Sequence, residues 1–349
     1  AFGYYCMAAL TTGTNNTAMG NSALSTLTTT AGNTAIGKAA LGASVTGSYN
    51  TALGYLALTA CLDGGSNIAV GHNALTANTA GASNTAIGTS ALAANTTASY
   101  NTAVGSGALT ANTTGALNTA VGGNAGVALT TGGGNTTVGV DSLGSATTSA
   151  NNTAVGYYTL AVNTTGENNV AVGKSALAAN TTATGNIAVG MNCLDANTTG
   201  GVNTAVGYYA LSANTEAGFN TAIGNASMQS SNGAVGCTAV GSSSLNAATT
   251  GDYNVAVGFN AGLVMTSGDR NTAVGSTSLD ACTTGQYNVG VGNAALGSLV
   301  DGNFNTAVGT NVCAAITEGQ YNTAVGYSAL DACTTSDYNV AVGYAALGL

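Results

Sequence analysis

The chain has 349 residues, 45% of them hydrophobic, with 52 Gly, no Pro, no Trp and a formal charge of −9. Only Lys38, Lys174 and Arg270 stand against 12 acidic residues, which makes nucleic acid and anionic membrane surfaces poor partners. No apolar run approaches the roughly 18 residues needed to span a bilayer, so membrane insertion is not expected.

One unit of 17 residues repeats from end to end, idealised as Asn-Thr-Ala-Val-Gly-x-x-Ala-Leu-x-Ala-Asn-Thr-Thr-Gly-x-x. Its positions are numbered here as slots 1 to 17 from the first Asn. Slot 5 falls at residues 3, 20, 37 and onward to 343, and every one of these 21 residues is Gly. A fixed short period means one structural unit stacked on itself, because a single unit cannot bury its apolar face alone. The expected fold is all-β, a parallel β-solenoid (β-roll) of about 20 coils forming a single repeat domain over 1–349. Absence of Pro fits a ladder whose N–H groups are all in use. Ala1 occupies slot 3 and Leu349 slot 11, so the expectation is a domain uncapped and cut mid-repeat at both ends.

Within a coil, slots 1–4 read as a first strand, with the slot 5 Gly turning the chain. Slots 7–11 read as a second strand, and slots 12–15 (Asn-Thr-Thr-Gly) as a wide return turn. Slot 4 is always apolar, and slot 2 changes from Thr to Ile or Val at Ile68, Val170, Ile187, Val255, Val289 and Val340. These two slots share one side of a strand, which predicts that side to be buried. Leu at slot 9, in 16 of 21 copies, would supply the opposite wall.

Slot 3 then faces outward, yet it is Ala in 19 of 21 copies. A lane of small residues implies a close neighbour. That neighbour is either the return turn of the same chain or another copy. The interchain reading places Ala103, Ala120 and Ala205 at a homo-oligomer contact. Asn at slots 1 and 12 is expected to stack into amide ladders.

In chain order, further features stand out. The seven Cys share no slot in adjacent coils, so they read as small apolar substitutes without a disulfide framework. His72, the single His, sits at slot 6 beside a turn. Sequons recur at Asn95, Asn112, Asn163, Asn180 and Asn197 and serve either as glycan acceptors or as turn chemistry. Two coils put Gly at slot 9 and a large apolar residue at slot 12, namely Gly126 with Leu129 and Gly262 with Met265. A shift or bulge of the second strand is expected there.

Acidic residues pair in neighbouring coils, Asp252 with Asp269 at slot 16 and Asp301 with Glu318 at slot 14, about 5 Å apart if stacked. They are weak metal candidates, Ca²⁺ being the plausible ion, against splayed solvated carboxylates. Slot 17 aligns Tyr287, Phe304, Tyr321 and Tyr338, which read either as a stabilising ring ladder or as a possible glycan strip. No converging acid, base or nucleophile is visible, so neither an enzyme nor a cofactor is expected.

Units such as Asn101-Thr102-Ala103-Val104-Gly105 through Asn112-Thr113-Thr114-Gly115 resemble the repeats of phage-type tail-fibre proteins. The Asn-x-Ala-Val-Gly core is also similar to the head repeats of trimeric autotransporter adhesins. The resemblance covers the whole chain. It implies a parallel β-roll assembled as a homotrimer, or another homo-oligomer or filament, at an extracellular, cell or virion surface. The function so implied is a non-catalytic fibre shaft. The alternative is a surface-binding solenoid: an adhesin that takes surface glycans on its aromatic lanes, or an ice binder. Ice binding wants an outward array of Thr, and the Thr lane at slot 2 reads as buried, which argues against it.

Overall fold

A computed structural model describes residues 1–348. It contains two compact units, Ala1–Lys174 and Ser175–Leu349, each a stack of parallel coils. The first unit carries strands β1 (Thr17–Met19) to β10 (Val170–Val172), and the second β11 (Ile187–Val189) to β20 (Val340–Val342). Each strand is three residues long and occupies slots 2–4. Within each unit successive strands pair in parallel and in strict register. In the first unit β6 (Thr102–Val104) meets β7 (Thr119–Val121) with Thr102 opposite Thr119 and Ala103 opposite Ala120. In the second, β12 (Thr204–Val206) meets β13 (Thr221–Ile223) with Ala205 opposite Ala222. The parallel solenoid expected from the period is therefore what the chain forms.

The faces of the strand are the reverse of the expectation. In every strand the central residue is buried and the flanking two are half-buried or exposed, as in Thr102–Val104 and Thr204–Val206. Ala103, Ala120 and Ala205 have no exposed surface within their own chain. They cannot present an oligomer contact, and that assignment is corrected. The close neighbour that keeps slot 3 small is the opposite wall of the same coil stack. Cys193 Sγ at slot 8 lies 3.1 Å from the Ala205 carbonyl oxygen, and Ser227 Oγ, also at slot 8, lies 3.2 Å from that of Ala239. A Cβ added at Gly290, also slot 3, would come within 2.6 Å of Ser278 Oγ. The roll is so thin that a methyl group fills the gap between its walls.

The second expected strand is absent. Slots 6–11 form a run of turns in which slots 7 and 9 are left-handed, as at Ser90 (φ 56°) and Leu92 (φ 51°). Slot 17 is left-handed as well, for example Tyr100 (φ 62°). Holding a Leu left-handed costs roughly 1–2 kcal/mol. Burying its side chain returns roughly 1.5–3 kcal/mol, so burial prevails and the coil curls inward at slot 9. Leu92 and Leu109 are fully buried. Turn bonds close this wall, with the Ala108 N–H donating to the Gly105 carbonyl and the Asn112 N–H to the Leu109 carbonyl.

The two irregular coils neither shift nor bulge. Gly126 (φ 60°) and Gly262 (φ 59°) keep the left-handed slot without strain. Their N–H groups still donate to the next coil, at Ser142 and Ser278. Leu129 and Met265 fill the missing volume from slot 12 and are buried. The exchange is a swap of which slot supplies the apolar side chain.

Candidate functional site

Two rows of buried amides hold the coils together. At slot 1 the Asn101 Oδ1 accepts the Asn118 N–H at 2.9 Å, and the Asn101 Nδ2 donates to the Gly115 carbonyl at 2.9 Å. At slot 12 the Asn112 Nδ2 donates to that same carbonyl at 2.9 Å and to the Asn95 Oδ1 at 3.2 Å. Strand entry and return turn are thus stapled to one oxygen. Where slot 12 is not Asn the row stops. The Asn112 Oδ1 and Asn214 Oδ1 are buried without a partner because Leu129 and Ser231 follow them one coil on. Asn101→Ala should cost about 1–3 kcal/mol, because it leaves the Asn118 N–H buried and unpaired. Thr102→Ala, facing outward, should stay within about 0.5 kcal/mol. Urea unfolding of the two variants measures the difference.

The sequon residues belong to this interior. Asn95, Asn112, Asn163, Asn180 and Asn197 have no exposed surface. The Asn95 Nδ2 is occupied by the Asn78 Oδ1 at 2.8 Å and the Ala98 carbonyl at 3.1 Å. In the folded coil these nitrogens are turn chemistry and are not accessible glycan acceptors.

The cysteines occupy core positions as free thiols. Cys61, Cys193, Cys237, Cys282 and Cys313 are buried, whereas Cys6 and Cys333 are half-buried. Cys237 takes the place of an Asn in the slot 1 row. Its Sγ donates to the Gly251 carbonyl at 3.3 Å and accepts the Asn254 N–H at 3.4 Å. Burial pushes the Cys61 and Cys237 thiols up to about 11, and those of Cys193, Cys282 and Cys313 to about 12. The folded state therefore holds these protons more tightly than the unfolded state. Their contribution to stability is complete below pH about 9 and is lost as pH rises from there towards 11–12. At pH 8 the five buried thiols should resist alkylation until the chain unfolds, with Cys6 and Cys333 reacting first. Peptide-resolved mass spectrometry reads that order.

The acidic pairs divide. The Asp252 Oδ1 accepts the Val235 N–H, and the Asp269 Oδ1 accepts the Asp252 N–H, each at 2.8 Å. These carboxylates therefore cap the backbone of the preceding coil. Asp301 and Glu318 are exposed on the return turn. Among the described residues no three His, Cys, Asp or Glu side chains come together as a metal site.

The aromatic lane is a continuous stack. Tyr287, Phe304, Tyr321 and Tyr338 lie 5.0, 5.1 and 5.0 Å apart with interplanar angles of 3–6°. Arg270 extends it, its guanidinium 5.4 Å from the Tyr253 ring centroid and 5.5 Å from that of Tyr287. Arg270 thus serves the ring stack. The ring faces are turned towards one another, which is ladder chemistry and leaves ring edges for any ligand. At slot 6, His72 is exposed and stacks on Tyr55 at 5.4 Å, with Lys38 Nζ 5.7 Å from the same ring.

One surface was missed by the sequence reading, the outward face of the strands. It carries Thr, or less often Val or Ile, at slot 2 and Val, Ile, Leu or Met at slot 4. Ile87 is 40% and Val121 37% exposed. The strict hydrophobicity of slot 4 pointed to a lane with a common environment, but that environment is the outside. No family model, no curated protein and no solved structure matches this chain.

Proposed function

We propose that the chain is a non-catalytic structural shaft, part of a fibre or filament at a virion or cell surface. The observation supporting this most directly is the use to which the interior polar groups are put. The Asn rows, the slot 13 Thr hydroxyls and the slot 16 carboxylates bond one coil to the next. Chemistry that could converge on a substrate is spent on propagating the stack. The resemblance to tail-fibre and adhesin-head repeats supports the same reading. A contact between copies must use a surface other than the Ala lane.

A shaft is a spacer, so its length should follow the number of coils. Deleting residues 34–135 removes six units and joins Asn33 to Thr136 in register. The particle seen by electron microscopy should shorten by roughly 29 Å at ~4.8 Å per coil and remain folded. A particle whose dimensions do not follow coil number, or one that unfolds, would overturn the shaft reading.

A further inference from the structure

The outward strand face carries a row of hydroxyls that the protein itself does not use. Slot 2 is Thr in 14 of 20 strands, with an unbroken run of five at Thr85, Thr102, Thr119, Thr136 and Thr153. Strand pairing sets these residues directly opposite one another, one per coil. Their hydroxyls hydrogen-bond to no protein group. The Thr lane at slot 13 behaves differently. Thr79, Thr96, Thr113 and Thr130 each donate to a carbonyl of the next coil at 2.9–3.2 Å. Of two in-register Thr lanes, one is consumed by the fold and one is left to solvent.

Beside the free hydroxyls runs the slot 4 lane, Ile87, Val104, Val121, Val138 and Val155 in the same five coils. No charged residue stands at slot 2 or slot 4 of any strand. Water above this face meets a hydroxyl and an apolar group at every coil, repeated at ~4.8 Å. Methyl groups order the water over them, and hydroxyls spaced in register fix its position. A dry contact with a second copy suits the face less well. It would take the Thr hydroxyls out of water, and each would then need a partner across the contact. Three of the five slot 4 side chains, Val104, Val138 and Val155, are also only half-exposed.

We infer that the Thr-x-Val face binds an ordered lattice of water, which makes it an ice-binding surface. This inference is independent of the shaft reading, because a shaft can lack it and an ice binder need not be a spacer.

The test uses the full chain and ice itself. The wild-type protein should be incorporated into a slowly growing polycrystalline ice front and should slow recrystallisation. The triple variant Thr102→Lys, Thr119→Lys, Thr136→Lys should lose most of its ice-bound fraction. The control Thr97→Lys, Thr114→Lys, Thr131→Lys places the same charge on the return turn and should keep it. Should the first triple variant fail to fold by circular dichroism, Thr119→Val removes one hydroxyl while keeping the β-branch, and should lower incorporation measurably. Exclusion of the wild-type protein from ice overturns the inference, as does equal loss in the control. So does a sedimenting oligomer that the slot 2 substitutions dissociate, for then the face is a contact between copies.

Discussion

Gly105→Ala is expected to break the coil stack at its site, whereas Gly115→Ala is expected to be absorbed. Gly105 lies at slot 5 with φ +140°, and an added Cβ would stand 2.3 Å from the Gly122 carbonyl oxygen. The backbone conformation alone costs about 1–3 kcal/mol for a residue with a side chain. The clash is with backbone that is itself locked in a ladder, since the Gly122 N–H donates to the Val104 carbonyl at 2.8 Å. Neither term can relax without opening the neighbouring coil. Gly115, at slot 15, also faces a close carbonyl, that of Gly132 at 2.3 Å, but its φ is ordinary. The same slot holds Ala98, Ala183, Ala217 and Ala234, all buried, so this turn has room to yield. Thermal unfolding should separate the two variants widely. Equal losses would mean that slot 5 is no tighter than slot 15.

Leu109→Asp should be nearly as damaging, and Thr110→Asp next to it should be mild. Leu109 is fully buried. Its removal forfeits about 1.5–3 kcal/mol of burial. An unpaired carboxylate in its place adds several kcal/mol unless it takes up a proton. Thr110 is half-buried and the single hydrogen of its hydroxyl is shared between the Ser90 and Gly107 carbonyls, at 3.0 and 2.8 Å. Its replacement loses that one bond, worth about 0.5–1.5 kcal/mol, and leaves the carboxylate close to water. Urea midpoints that coincide for the two variants would show that slots 9 and 10 do not differ in environment.

The period, the parallel stacking, the slot 9 wall and the Asn rows were legible in the sequence because each depends on composition repeated at fixed spacing. Which side of the strand is inside was not legible. Hydrophobicity pointed to slot 4, but a 17-residue coil leaves its strand so close to the opposite wall that Ala103 fits the interior and Val104 does not. Size decided what hydrophobicity could not. The second strand was misread for a related reason. Leu at slot 9 looks like a strand residue, and nothing in its identity announces φ near +50°, which the burial of its side chain sustains. The aromatic lane was legible both as an alignment and, at one ring per coil, as a stacked ladder, one of the two readings it offered, and the rings do stack at 5.0 Å. The free Thr lane was discounted as buried because the face assignment was inverted.

The orientation of the strand is the claim on which the core, the outward face and its chemistry all rest. It is tested most directly by thiol accessibility at two adjacent residues of β12. Ala205→Cys and Val206→Cys are made singly, the native proteins are alkylated, and labelling is read peptide by peptide. The thiol at 205 should be as protected as the buried Cys193 beside it, and the thiol at 206 should label rapidly. Rapid labelling at 205 with protection at 206 would show that the interior lies on the other side of the strand.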